Sequence, residues 1–184
     1  MRKRIYPALL ALIMSVSAVQ AQGTEPADGG WSVNLGFRIQ SLQYYGRSYT
    51  LLPGVSYKHY ICNGWFVRPA AALVYSQAEN SWKDWSSGLN IGAETGYMYN
   101  FTPEAGVELS TGPSMDVLYA RAHVGTDGGG AVYADEAVYG MWAFNAGLRV
   151  ERVIFRGGYA LHLGRKWDVG ETKNYWQVSV GYNF

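Results

Sequence analysis

The chain has 184 residues, with 15 Lys and Arg against 14 Asp and Glu, and 23 Gly beside seven Trp and 15 Tyr. This near-neutral balance, without a basic cluster, excludes nucleic acid as an expected partner, and Cys62 stands alone, so no disulfide can form within the chain. Past the first 21 residues no apolar run approaches the roughly 20 residues of a membrane-spanning helix, whereas glycine with aromatics suits strands, tight turns and aromatic belts.

In chain order, Arg2, Lys3 and Arg4 precede an apolar stretch from Ile5 to Val19, and Ala21 completes a small-x-small cleavage site. The pattern predicts a signal peptide over residues 1–21. Pro7, Ser15 and Ser17 interrupt the stretch and argue against a membrane anchor, and Gln22 in place of Cys closes the lipoprotein route. Cleavage would leave 163 residues, enough for one domain, with 12 basic against 14 acidic side chains. Residues 22–30 read as a short periplasmic leader bearing Gly, Pro and acidic residues.

From residue 31 the chain alternates with period two, the signature of side chains on opposite faces of a sheet. Trp31, Val33, Leu35, Phe37 and Ile39 fall on one face, and Ser32, Asn34, Gly36, Arg38 and Gln40 on the other. The same reading predicts strands near 51–61, 65–76, 87–101, 105–119, 139–150, 153–163 and 174–184. Short connections at residues 62–64, 102–104 and 151–152 alternate with longer ones near 41–50, 77–86, 120–138 and 164–173. That alternation suits an all-β, eight-stranded antiparallel up-and-down transmembrane barrel over residues 31–184, with its short turns and both termini in the periplasm. At Asn63 and Gly64 a three-residue connection turns Lys58 inward. A two-residue one would push Lys58 into lipid, at about 2–4 kcal/mol near the midplane. Pro69 and Pro113, inside predicted strands, are expected to mark bulges.

Glycine decides which face is inside. Gly36, Gly54, Gly92, Gly96, Gly112 and Gly147, among others, lie opposite the large apolar side chains. Eight strands enclose an interior just wide enough to be filled by side chains, so glycine with a few long polar residues suits the lumen and the bulky face looks out to lipid. Aromatics gather at strand ends, Trp31, Trp65, Tyr97, Tyr99, Phe101, Tyr182 and Phe184 at one side and Trp142 and Trp176 at the other, as two interfacial girdles would.

Inward parity collects Arg38, Lys58, Arg68, Arg149 and Arg156 with Glu94 and Glu108. Such a set demands pairing, so the expectation is an ion network that plugs the lumen, centred on Glu94, with Lys58 opposite Arg68 and Arg68 beside Glu94. Five cations against two carboxylates also admit an anion site or a narrow pore, although a filled eight-stranded lumen leaves no continuous channel. No metal-ligand spacing and no phosphate-cradling glycine loop occur, so no metal, cofactor or catalytic residue is expected. The segment from Thr126 to Gly130 reads as the flexible tip of the longest outer hairpin.

In the closing segment, Trp176, Val178, Val180, Tyr182 and Phe184 point outward at every second position. This resembles the C-terminal assembly signal of outer-membrane barrels, which the barrel-assembly machinery reads. At the level of architecture residues 31–184 resemble the small eight-stranded outer-membrane barrels, the class of the outer-membrane protein A transmembrane domain and of the X-type and Ail-type surface proteins. The resemblance implies an integral outer-membrane location and contact with lipid and lipopolysaccharide. It carries no functional residue over. Lipid A deacylases, an alternative class together with acyltransferases, place a Ser two residues after a His, where His162 here is followed by Gly164. His59 and His123 offer no better base. The expected role is structural or surface-interactive rather than enzymatic, with Trp82, Trp85 and Trp167 in outer loops as candidates for binding an extracellular ligand.

Overall fold

Period-two alternation carries through the described chain and closes on itself. The computed structural model describes residues 29–42, 46–79, 81–124, 131–163 and 174–184. Its strands are β1 (Gly30–Leu42), β2 (Gly46–Cys62), β3 (Trp65–Ala78), β4 (Ser81–Asn100), β5 (Ala105–Val124), β6 (Ala131–Val150), β7 (Val153–His162) and β8 (Tyr175–Asn183). Each pairs antiparallel with its sequence neighbours, and β1 with β8, from Ser32↔Asn183 to Ile39↔Trp176, closes the barrel. The expected signal peptide over 1–21, most of the leader and the connection at 164–173 lie outside the described residues. β1 begins at Gly30, one residue inside the segment assigned to the leader.

The faces divide as solvent chemistry requires. Outward Leu73 is 64% exposed and Leu109 57%, while inward Arg68 and Glu108 are 3% and 1% exposed. A continuous exposed belt of this kind suits hydrocarbon rather than water. Ring pairs band one end, Trp31–Tyr57, Trp65–Tyr97, Tyr99–Phe101 and Tyr182–Phe184, and Trp85–Tyr119 and Tyr159–Trp176 band the other.

Four sequence expectations need correction. The strands run well past their expected ends, so residues placed in the loops 41–50, 77–86 and 120–138 mostly belong to β1 to β6. Backbone pairing continues there without apolar alternation, because the hydrogen-bond ladder does not depend on what the side chains face. Trp82 and Trp85 therefore sit on β4 rather than in a loop, and Trp167 lies outside the described residues.

The connection after β2 is a two-residue turn in which Asn63 (φ 39) and Gly64 (φ 85) both adopt left-handed backbone, as a type I′ hairpin demands. Lys58 still points inward, because the register shifts between Tyr60 and Cys62 and this bulge restores the parity.

Pro69 and Pro113 mark no bulge. Pairing to one neighbour lapses beside each, yet the register is the same on both sides of the lapse, as Ser56↔Ala70 and His59↔Val67 show for Pro69 and Gly92↔Ser114 and Thr95↔Thr111 for Pro113. The fourth correction, the centre of the ion network, concerns the lumen itself.

Candidate functional site

The lumen is stratified. Toward the short-turn end, Phe66, Met98 and Ile154 are buried together with Tyr60 packed against them. Toward the opposite end, Met141, Ala143, Ala160 and Tyr175 form a second apolar cluster. Charged side chains fill the stretch between the two plugs.

Glu108, on β5, is the hub. Its Oε2 accepts from Lys58 Nζ at 2.6 Å, and its Oε1 accepts from Arg68 Nη1 at 2.6 Å and Arg156 Nε at 2.7 Å. The network is thus centred on Glu108 and not on Glu94. Three cations from β2, β3 and β7 converge on this carboxylate, an arrangement that compensates the desolvation of each only while all are present. Gly147 makes the room, since a Cβ there would stand 2.9 Å from Glu108 Cγ and 3.2 Å from Arg156 Cγ.

Glu94 forms the second node. It is ion-paired with Arg68 Nη2, and it accepts from Ser110 Oγ at 2.9 Å and Asn145 Nδ2 at 2.9 Å. Gln177 Nε2 donates on to Asn145 Oδ1 at 2.8 Å. Arg156 Nη1 donates to Asn34 Oδ1 at 3.0 Å, and Asn34 Nδ2 to Ser56 Oγ at 2.9 Å. The rings below take part, with Lys58 Nζ 4.5 Å and Arg68 Cζ 5.2 Å from the centre of the Phe66 ring.

Arg38 stands apart from this cluster, toward the second plug. Its Nη1 donates to Asp116 Oδ2 at 2.5 Å, Asn90 Nδ2 donates to Asp116 Oδ1 at 2.5 Å, and its guanidinium lies 4.8 Å from the Tyr175 ring centre. Arg149 lies at the short-turn rim, where Nη2 donates to Asn100 Oδ1 at 2.9 Å and to the Pro103 carbonyl at 3.0 Å.

Of the seven charged residues that the sequence places inward, five meet in one cluster, while Arg38 and Arg149 join other partners. Sequence reasoning missed Asp116, although eight residues separate it from Glu108 on the same strand and parity alone places it inward. It placed Asn34 on the inward face without assigning it a partner, and it missed Asn90, Asn145 and Gln177, which share that parity signal but carry no charge to draw notice.

Among the described residues no three His, Cys, Asp or Glu side chains could hold a metal ion. His59 is exposed on the outward face, and His162 is half-buried with its ring 5.6 Å from that of Tyr139. The outward side chains of β8 form a row in which Trp176 is 69% and Phe184 72% exposed.

Beyond the belt the wall is uneven. β4, β5 and β6 have 20 residues each, against 10 in β7 and nine in β8. β5 and β6 stay paired to Val124↔Ala131, whereas β6 and β7 are paired only from Met141↔His162.

Among solved structures, Neisserial surface protein A is similar, with a TM-score of 0.55 and 12% identity over 85% of this chain and 97% of that one. The fold is that of the small eight-stranded outer-membrane β-barrels. Weaker likenesses are to Ail, the attachment invasion locus protein of Yersinia pestis (TM-score 0.47, 15% identity, 85% of this chain and 97% of that one), and to the N-terminal β-barrel domain of Pseudomonas aeruginosa OprF (0.48, 14%, 85% and 100%). No protein-family model matches the chain, and no curated protein sequence does.

Proposed function

We propose that this chain is an integral outer-membrane protein, with both termini in the periplasm, that sets a rigid, non-conducting barrel in the membrane and presents the tall β4–β6 wall at the cell surface for contact with an extracellular ligand. The observation that carries the reading is strand length. A membrane-spanning strand needs about 9–11 residues, and three adjacent strands have 20. Part of the surplus, residues 81–84 of β4, 120–124 of β5 and 131–135 of β6, stands beyond the aromatic band marked by Trp85 and Tyr119. A wall that serves only to cross lipid has no use for it, and rigidly held surface elements are where binding resides.

Lipid and lipopolysaccharide cover the belt in this reading. The outward row Trp176, Val178, Val180, Tyr182 and Phe184 is the segment that the barrel-assembly machinery would take up. The two apolar plugs support a closed lumen, because an apolar constriction excludes water and ions. A narrow pore is thereby disfavoured.

The test shortens the wall without touching the barrel. Arg121 and Ala134 are paired, so residues 122–133 are replaced by an Asn-Gly turn. The shortened protein is expected to reach the membrane as heat-modifiable folded barrel at wild-type levels, while adherence of the cells that display it falls to that of a deletion strain. Undiminished adherence overturns the proposal.

A further inference from the structure

Between the two apolar plugs, the described residues place four cations, Arg38, Lys58, Arg68 and Arg156, and three carboxylates, Glu94, Glu108 and Asp116. The fixed charge of this stretch is +1. A surplus charge held out of water is costly unless something compensates it.

Two of these cations also keep unused donors. Nε of Arg38 and Nη2 of Arg156 are buried and make no hydrogen bond, on side chains only 6% and 8% exposed. Arg38 and Arg156 both line one cavity of about 120 Å³, together with Arg68, Glu94, Asn145 and Gln177. Asn34, Asn90 and Asn145 already donate to Ser56, Asp116 and Glu94.

We propose that this cavity binds a small monovalent inorganic anion of the halide or nitrate class, held by the free N–H groups of Arg38 and Arg156. One such anion brings this charge to zero and satisfies donors that no protein group reaches. The cavity has room for several waters, which suits a halide or nitrate that keeps part of its hydration shell, and gluconate serves as the bulkier comparison. With apolar layers at both ends, the anion is a structural counter-ion built in on folding and not a permeant one.

The full chain is refolded in uncharged detergent with sodium bromide, nitrate or gluconate, each at about 0.15 M so that screening is equal. Bromide and nitrate are expected to raise the folding equilibrium constant roughly tenfold over gluconate, the gain from an anion at about ten times its dissociation constant. Crystals grown in bromide are expected to show its anomalous signal between Arg38 and Arg156. Asn34→Asp sets a carboxylate where Asn34 Oδ1 already accepts from Arg156 at 3.0 Å, so it supplies the missing charge covalently. That variant is expected to match in gluconate the stability of the wild type in bromide, and to lose both the anion response and the anomalous peak. Arg156→Gln, which removes the surplus charge and one free donor, is expected to lose both as well. Equal wild-type stability in all three salts with no bromide peak overturns the proposal, as does an Asn34→Asp protein that keeps the full response.

Discussion

Inward and outward side chains leave the same eight strands one residue out of phase, yet the two faces are specified in different ways. Lipid asks of an outward position only that it be apolar, so Leu35, Val55, Ile91 and Val178 are interchangeable in kind, all more than a third exposed and with no single partner that defines them. An inward position is defined by its partners, as Glu108 is by three cations and Gly147 by the room those groups need. The outer face is therefore sensitive to a change of chemistry and the inner one to the loss of a fit.

The largest expected effect follows from the hub. Glu108→Gln keeps the side chain's shape but leaves Lys58, Arg68 and Arg156 around a neutral amide, and breaking a buried ion cluster in this way costs about 3–5 kcal/mol. Glu94→Gln is expected to cost less, about 1–3 kcal/mol, because that side chain is 23% exposed and two of its donors, Ser110 and Asn145, are neutral. Urea midpoints of barrels refolded into lipid vesicles rank the two. An unchanged midpoint for Glu108→Gln would break the contrast between the faces, and a larger loss for Glu94→Gln would move the hub back to Glu94.

The outer face comes next. Ile91 lies 46% exposed midway along β4, six residues from Trp85 at one band and six from Tyr97 at the other. Ile91→Arg is expected to cost about 2–4 kcal/mol, as a charge near the midplane does, while Ile91→Leu leaves the urea midpoint where it was. A comparable loss from both substitutions would show that Ile91 is held by fit and not by solvent.

The same division explains what the sequence disclosed. Alternation and the placement of glycine reveal which way each side chain faces, because lipid and lumen differ over every strand. Across-barrel contact is another matter. Lys58 and Glu108 meet from β2 and β5, 50 residues apart, and that meeting depends on strand tilt and stagger, which parity does not encode. Glu94 stood out as the centre because inward parity sets it beside Arg68 on the next strand, a pairing that the ladder bears out as Arg68↔Glu94 although the connection between them was expected to be long. Strand ends were hidden for a related reason, since in 81–86, 120–124 and 131–138 the ladder continues where the two faces no longer meet different solvents. The bulge between Tyr60 and Cys62 was hidden as well, because it cancels the parity change that a two-residue turn would otherwise bring.

The smallest expected effect is the sharpest test, because it sets adjacent glycines of one strand against each other. Gly158 faces the lumen, where an added methyl would press on Asn145 and approach the Phe144 carbonyl oxygen to 2.7 Å. Gly157 faces outward, with nothing within 4 Å of the same added atom. Gly158→Ala is expected to destabilise the barrel by about 1–3 kcal/mol through overpacking. Gly157→Ala is expected to stabilise it by about 0.4–1 kcal/mol, because alanine restricts the unfolded chain and meets no obstacle in the folded one. The two urea midpoints should therefore move in opposite directions from the wild type. If they move together, packing in the lumen does not separate the two faces at this point of the wall, and the assignment of Asn145 to a fitted inward network fails with it.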